Sequence, residues 1–186
     1  MAYSTVNDDE LLSRSTDVFR THGYEGTTLS RLSAATGLEK ASLYHRFPGG
    51  KDQIALAVAG GVLAWFQKHV FEPFKSTEAP RRKAGAVVEQ LRVFYADGTK
   101  PCALDALSLS GGGPELAEAL KGALLAWLKA FTEIARESGL SAAESKRRAE
   151  QAVIQIEGSL ILSRVLGDTK AFRRTLEELP GLLTAE

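Results

Sequence analysis

Apolar positions recur along this chain at three- and four-residue intervals, the spacing of one face of an α-helix. No run alternates with period two between turn signals, so no strand is predicted. The first stripe is Leu11, Leu12, Ser15, Val18, Phe19 and His22. It predicts a helix from about Asp8 to His22, with Asn7 as cap, Glu10 at the third position and Gly23 as stop. Thr27 and Thr28 offer a cap for a short helix ending near Thr36. Gly37 then supplies a left-handed turn residue, and a third helix covers about Lys40 to Phe47 before Pro48, Gly49 and Gly50 end it.

A long helix is expected from about Lys51 to Phe71, its buried side marked by Ile54, Val58, Val62, Trp65 and His69, with Pro73 near its end. Another runs from about Arg81 to Ala96, behind Pro80 and ahead of Gly98, and a short one from Ala103 to Leu109. Pro114 opens the next, striped by Leu116, Leu120, Leu124, Trp127, Phe131 and Ile134 and closed by Gly139. Ser141 and Glu144 form a capping box for a helix reaching about Val165. Asp168 caps the last helix, in which Phe172, Leu176 and Leu179 share a face. There Arg173 and Arg174 stand four residues before Glu177 and Glu178, and Pro180 marks the end. The expected fold is all-α with about nine helices: a three-helix head in residues 1–50 and a helical bundle in residues 51–186.

Length and composition fit that picture. The 186 residues, 44% hydrophobic and 25% charged, suit one core with a smaller satellite domain. The longest nearly apolar stretch, Ala152 to Leu162, falls short of the roughly 20 residues a membrane span needs, and the N-terminal residues lack a basic start followed by an apolar run. No membrane association and no secretory signal are therefore expected. Cys102 is the single cysteine, so no disulfide framework exists within the chain and a cytoplasmic location is expected.

The formal net charge is zero, which gives no whole-chain attraction to nucleic acid. Between Thr27 and Lys51, however, Arg31, Lys40, Arg46 and Lys51 stand against Glu39 alone. A local basic face of that kind is enough for phosphate contact. In the same segment Leu29 and Leu32 face the first helix, Ser33 and Ala34 are small where helices cross, and Leu38 and Leu43 anchor the third helix. These are the requirements of a helix-turn-helix, whose second helix enters a major groove about 12 Å wide.

The segment resembles the TetR family of regulators. The resemblance is carried by Thr27-Thr28, by Ala35-Thr36-Gly37, by Leu43-Tyr44-His45-Arg46-Phe47 and by Lys51. The run Phe47-Pro48-Gly49-Gly50-Lys51 and the later Glu157-Gly158-Ser159-Leu160 are similar to the LmrA/YxaF-like subgroup. Glu39 departs from the family, which often carries serine in that stretch. The resemblance implies DNA-binding roles. Thr27 and Thr28 would contact phosphate at the start of the second helix. Tyr44, His45 and Lys51 would clamp the DNA backbone. Lys40, Ala41 and Ser42, at the exposed start of the third helix, would reach base edges, Lys40 towards guanine and Ala41 towards a thymine methyl.

Beyond Lys51 no Ser-His-Asp or Cys-His arrangement is readable, and His45 has no second ligand at metal spacing. No enzyme activity, metal or cofactor is expected. A phosphate loop at Gly111 to Gly113 would need a preceding strand and a lysine at fixed spacing, and neither is present. Ala152 to Leu162 is apolar on nearly all sides of a helix, which implies burial against a second subunit as well as its own core. The resemblance implies the same, with the last two helices forming a homodimer interface of Ile154, Gly158, Ile161, Leu162, Phe172 and Leu176. It also implies an apolar inducer pocket among Trp65, Phe66, Phe94, Cys102, Trp127, Phe131 and Gln155. The expected function is a repressor that leaves palindromic operator DNA when a small molecule binds. An activator, a ligand-independent regulator of the same fold and a helical adaptor without DNA remain alternatives.

Overall fold

A computed structural model of the protein describes residues 6–109 and 111–185. Helix α1 (Asp8–Gly26) starts where Asn7 Oδ1 accepts the Glu10 amide at 2.8 Å. It does not stop at Gly23. The chain turns there at φ +65° and takes one more turn to Gly26, which buries Tyr24 and leaves His22 exposed rather than on the buried stripe. Helix α2 (Leu29–Thr36) is capped by the Thr28 hydroxyl, which accepts the Arg31 amide at 3.3 Å. Gly37 closes it at φ +74°, a left-handed conformation that side chains with a Cβ disfavour. Helix α3 (Lys40–Arg46) follows.

Helix α4 (Gly50–Phe66) continues without a break through a wide π-turn at Gln67–Phe71 into α5 (Glu72–Phe74). Pro73 has no N–H to donate and crowds the preceding turn, and the widened turn accommodates it. The buried face runs Ile54, Val58, Val62, Phe66, Val70 and Phe74, so Trp65 and His69 lie half-buried beside it. The 25 residues Gly50–Phe74 are long and apolar enough by length and composition to cross a membrane, which corrects the expectation that Ala152 to Leu162 was the longest apolar run. The helix owes this to uncharged residues on its outer side, Leu56, Ala57, Gly60, Gly61, Leu63 and Ala64, as well as to its buried face.

Helix α6 (Pro80–Phe94) leads into a 3₁₀ turn at Ala96–Gly98, and α7 (Ala103–Ser108) precedes the glycine run. Helix α8 (Gly113–Glu137) buries Leu116, Leu120, Ala123, Trp127, Phe131 and Ile134. Leu124, expected in that stripe, is 41% exposed, because the 3.6-residue period hands its place to Ala123. Helix α9 (Ala142–Leu166) is capped by Ser141, whereas the cap position of α10 (Lys170–Leu183) is Thr169 and not Asp168, which lies one residue earlier and accepts the Lys170 amide on Oδ1 at 3.0 Å. Pro180 lies inside α10 instead of ending it, and Arg173 reaches Asp97 at 3.9 Å rather than Glu177. With α4 and α5 counted as one, the described residues form nine helices and no strand.

The contacts divide the chain into two compact units. One holds the residues up to Leu63 together with Ala103–Gly122; the other holds Ala64–Cys102 and Ala123–Glu186. The first unit therefore takes in α4 as far as Leu63, all of α7 and the start of α8, beyond the residue-50 boundary read from the sequence. Its core joins Leu11, Phe19, Leu32, Leu43, Ile54, Val58 and Leu107. In the glycine run, Gly111 and Gly112 lie close against neighbouring side chains. A Cβ on Gly111 would lie 2.5 Å from the Tyr24 ring, and one on Gly112 would lie 2.3 Å from Leu116. The glycines let the backbone press against these side chains. An open cleft of about 580 Å³ lies nearby, lined by Asp52, Gln53, Leu56, Gly113, Glu115 and Leu116.

Candidate nucleic-acid interface

The first unit presents α3 outward. Leu43 is fully buried, and Leu38 and Phe47 pack against the same core, so the opposite side of this seven-residue helix must face solvent. Lys40, Ala41 and His45 are exposed, Tyr44 is 50% exposed, and Ser42 is half-buried. Half of a tyrosine side chain in water is a surface available to a ligand. Glu39 caps α3 from outside without a side-chain hydrogen bond and is exposed beside Lys40.

The turn between α2 and α3 is fixed by short-range bonds. Ser33 Oγ donates to Leu38 O at 2.6 Å, Thr36 Oγ1 donates to Leu32 O at 2.7 Å, and the Gly37 amide donates to Ser33 O at 2.9 Å. Arg14 of α1 donates to Thr36 O at 3.2 Å, a cation on the negative end of α2. Sequence reasoning missed this clamp, because Arg14 and Thr36 are far apart in the chain.

Of the four cations in the segment, three are committed inside the unit. Arg31 donates to Gly26 O. Arg46 donates to Val6 O and to Asp8, both at 3.1 Å. Lys51 Nζ donates to Tyr24 O at 3.1 Å and stands 4.1 Å from the centre of the Tyr24 ring. Among the described residues Lys40 alone of the four has no such partner. Thr27 also departs from expectation: it is 1% exposed, and its hydroxyl donates inward to Gly23 O at 2.7 Å. Thr28 is exposed at the start of α2 with its hydroxyl on the Arg31 amide. Tyr24 donates its phenol to Asp52. Burial, and then that carboxylate, push the phenol up to about 12.

The second unit holds the residues expected to line a pocket. Its rings form a chain: Trp65 to Phe94 at 4.5 Å, Phe94 to Phe66 at 4.9 Å, Phe66 to Trp127 at 5.0 Å, and Trp127 to Phe131 at 5.7 Å. Cys102 is buried and accepts a long hydrogen bond from the Tyr95 hydroxyl at 4.0 Å. Gln155 is half-buried on α9, outside the ring chain.

On α9, Ala152, Val153, Ile156, Ser159, Leu160 and Ser163 face inward. The other side leaves Ile154, Ile161, Leu162, Val165 and Leu166 exposed, from 46% at Ile161 to 73% at Val165, with half-buried Gly158 among them. Phe172 and Leu176, expected in the same surface, are fully buried. Phe172 packs on the Tyr95 ring at 5.7 Å, because α10 spends its apolar face on its own unit and shows Arg173, Arg174, Glu177 and Glu178 outward. Sequence reading missed Val165 and Leu166, which lie at the end of the helix, beyond the all-apolar run.

Residues 11–58 match the family described as bacterial regulatory proteins, tetR family. Residues 77–178 match the transcriptional regulator LmrA/YxaF-like C-terminal domain. The HTH-type transcriptional regulator LmrA of Bacillus subtilis (strain 168) is 26% identical over 180 residues, covering 94% of this chain and 95% of its own length. A TetR transcriptional regulator from Legionella pneumophila has the same fold, with a TM-score of 0.81 at 16% identity over 96% of this chain and 98% of that one. So does the TetR family regulator CifR, solved as a mutant with 26bp double-strand operator DNA, with a TM-score of 0.74 at 21% identity over 98% of both chains.

Proposed function

Since this chain belongs to the tetR family of bacterial regulatory proteins and carries the LmrA/YxaF-like C-terminal domain, it is a DNA-binding transcriptional regulator, and we propose that it is a homodimeric, cytoplasmic repressor released from a palindromic operator by a small apolar molecule. The observation that carries this reading is the outward face of α3, where Lys40, Ala41, Tyr44 and His45 are exposed over a helix anchored by fully buried Leu43. Lys40 is the group for a guanine edge, Ala41 for a thymine methyl, and Ser42 flanks them. Tyr44 and His45 suit backbone oxygens, as do Thr28 and the amides at the start of α2. Lys51 would have to leave Tyr24 to join them.

A second copy covers the exposed stripe of α9. Five large apolar side chains in water on one helix are a cost that a twofold partner removes. Pairing also supplies a second α3, and two such helices read half-sites about 34–36 Å apart. Helix α4 with its continuation to Phe74 is about 37 Å long at 1.5 Å per residue, and it carries residues of both units. A molecule held in the aromatic unit that prefers one arrangement of the dimer lowers operator affinity by linkage, typically by about 1–3 kcal/mol of coupling.

Gel-shift titration against an operator panel tests the reading. Tyr44→Ala weakens every operator alike, whereas Lys40→Ala changes the order of preference, by about 1–3 kcal/mol at one base pair. Ile161→Asp combined with Leu162→Asp yields a monomer by sedimentation and loses operator binding. Affinity that does not fall with added salt, or is unchanged in all three variants, contradicts the proposal.

A further inference from the structure

We infer that Trp127 is the hydrogen-bond donor that selects the effector, and that the effector is an uncharged, largely aromatic molecule carrying an oxygen acceptor for the indole N–H. This rests on the reading above that the second unit holds an effector. Trp127 is 3% exposed on α8, between the rings of Phe66 and Phe131. Its Nε1 finds no acceptor among the described residues. An indole N–H can only donate, so nothing but an acceptor satisfies it, and a buried donor left unmade is costly. Buried tryptophans ordinarily find a partner.

Two backbone features lie on the same ring chain. The π-turn Gln67–Phe71 carries His69, stacked 4.7 Å from Trp65, and Phe71, 6.2 Å from Phe66. π-turns inside α-helices are frequent at functional sites. Directly after Phe94 and Tyr95, Ala96 and Asp97 stand at φ +46° and +55°, a strained pair of non-glycine residues of the kind that collects at ligand clamps. Trp65 and Phe94 are half-buried and form the outer edge of the chain of rings. A flat apolar molecule enters there by replacing ring-to-ring contacts with its own.

The absence of charge on the ligand follows from the cations. Lys83, the buried cation of this unit among the described residues, donates to Phe74 O at 2.8 Å and to Glu137 at 2.6 Å. Arg92 is held by Glu89 at 3.5 Å and Asp97 at 3.3 Å. A carboxylate placed beside Trp127 would lie between the rings of Phe66 and Phe131, with His69 stacked on Trp65 further along the chain, which makes its desolvation expensive. A ketone, ester or ether oxygen meets the N–H without that cost.

The test is equilibrium dialysis of the full-length protein with 2-acetylnaphthalene and with 2-ethylnaphthalene, which share shape and differ in the acceptor. The expected result is roughly five- to tenfold tighter binding of the acetyl compound. In Trp127→Phe, which keeps a ring and removes the donor, that preference disappears while the ethyl compound binds as before. As a second measurement that leaves Trp127 in place, Trp65→Phe makes it the sole indole, and its emission shifts to the red with the acetyl compound but not with the ethyl compound. Equal binding of the two compounds to the unaltered protein, or a preference that survives Trp127→Phe, overturns the inference and leaves the effector reading standing. Binding of neither compound to the unaltered protein overturns the inference and the effector reading of this unit together.

Discussion

Among the described residues, each unit of this protein buries a polar atom without a hydrogen bond, Ser15 Oγ in the first and Trp127 Nε1 in the second, and the two differ in what surrounds it. In the first, the helix ends are tied by neighbours a few residues away: Asn7 on α1, Thr28 on α2, and Ser33 and Thr36 around the turn. On its surface Lys40, Tyr44 and His45 stand exposed. In the second, the polar and strained groups of note lie inside. Trp127 Nε1 is buried without an acceptor, Lys83 is buried on a carbonyl and a carboxylate, and Ala96 and Asp97 hold left-handed conformations. The first unit offers exposed polar side chains on one short helix, α3. The second holds its left-handed non-glycine residues and its unpaired indole N–H beside one chain of packed rings.

The largest effect that sharpens this contrast is at Phe172. Because the side chain is fully buried on Tyr95 instead of lying in a subunit interface, Phe172→Ala costs about 3–5 kcal/mol of unfolding free energy. Denaturant titration measures it. A variant of normal stability that only dissociates into monomers returns Phe172 to the interface.

A smaller effect comes from the first unit. Thr28→Ala removes the cap of α2 and costs about 1 kcal/mol by thermal unfolding. Any further loss of operator affinity in that variant, measured where both proteins are fully folded, assigns the hydroxyl a phosphate contact as well.

The smallest effect is alkaline. Tyr24 holds its phenolic proton up to about 12 against an ordinary 10.0, through burial and the Asp52 carboxylate. The folded state therefore binds this proton more tightly than the unfolded chain. Its contribution to stability is complete below about pH 10 and is lost as the pH rises towards about 12. Tyr24→Phe removes that part of the pH dependence, and unfolding measured from pH 9 to pH 12 shows whether it was there.

Local chemistry wrote much of this protein in its sequence. The caps Asn7, Thr28 and Ser141, the turn at Gly37 and the period of the buried faces depend on residues within one or two helical turns, so they could be read directly. The helix-turn-helix segment was legible for the same reason. Where the reading strayed, long-range packing had intervened. Thr27 turned its hydroxyl inward to Gly23, and three of four cations were spent on Gly26, Val6, Asp8 and Tyr24. Phe172 and Leu176 went to the core while Val165 and Leu166 came to the surface. Periodicity gives a helix its apolar face but does not say which neighbour that face meets, and only the assembled chain decides which side chains are left without one.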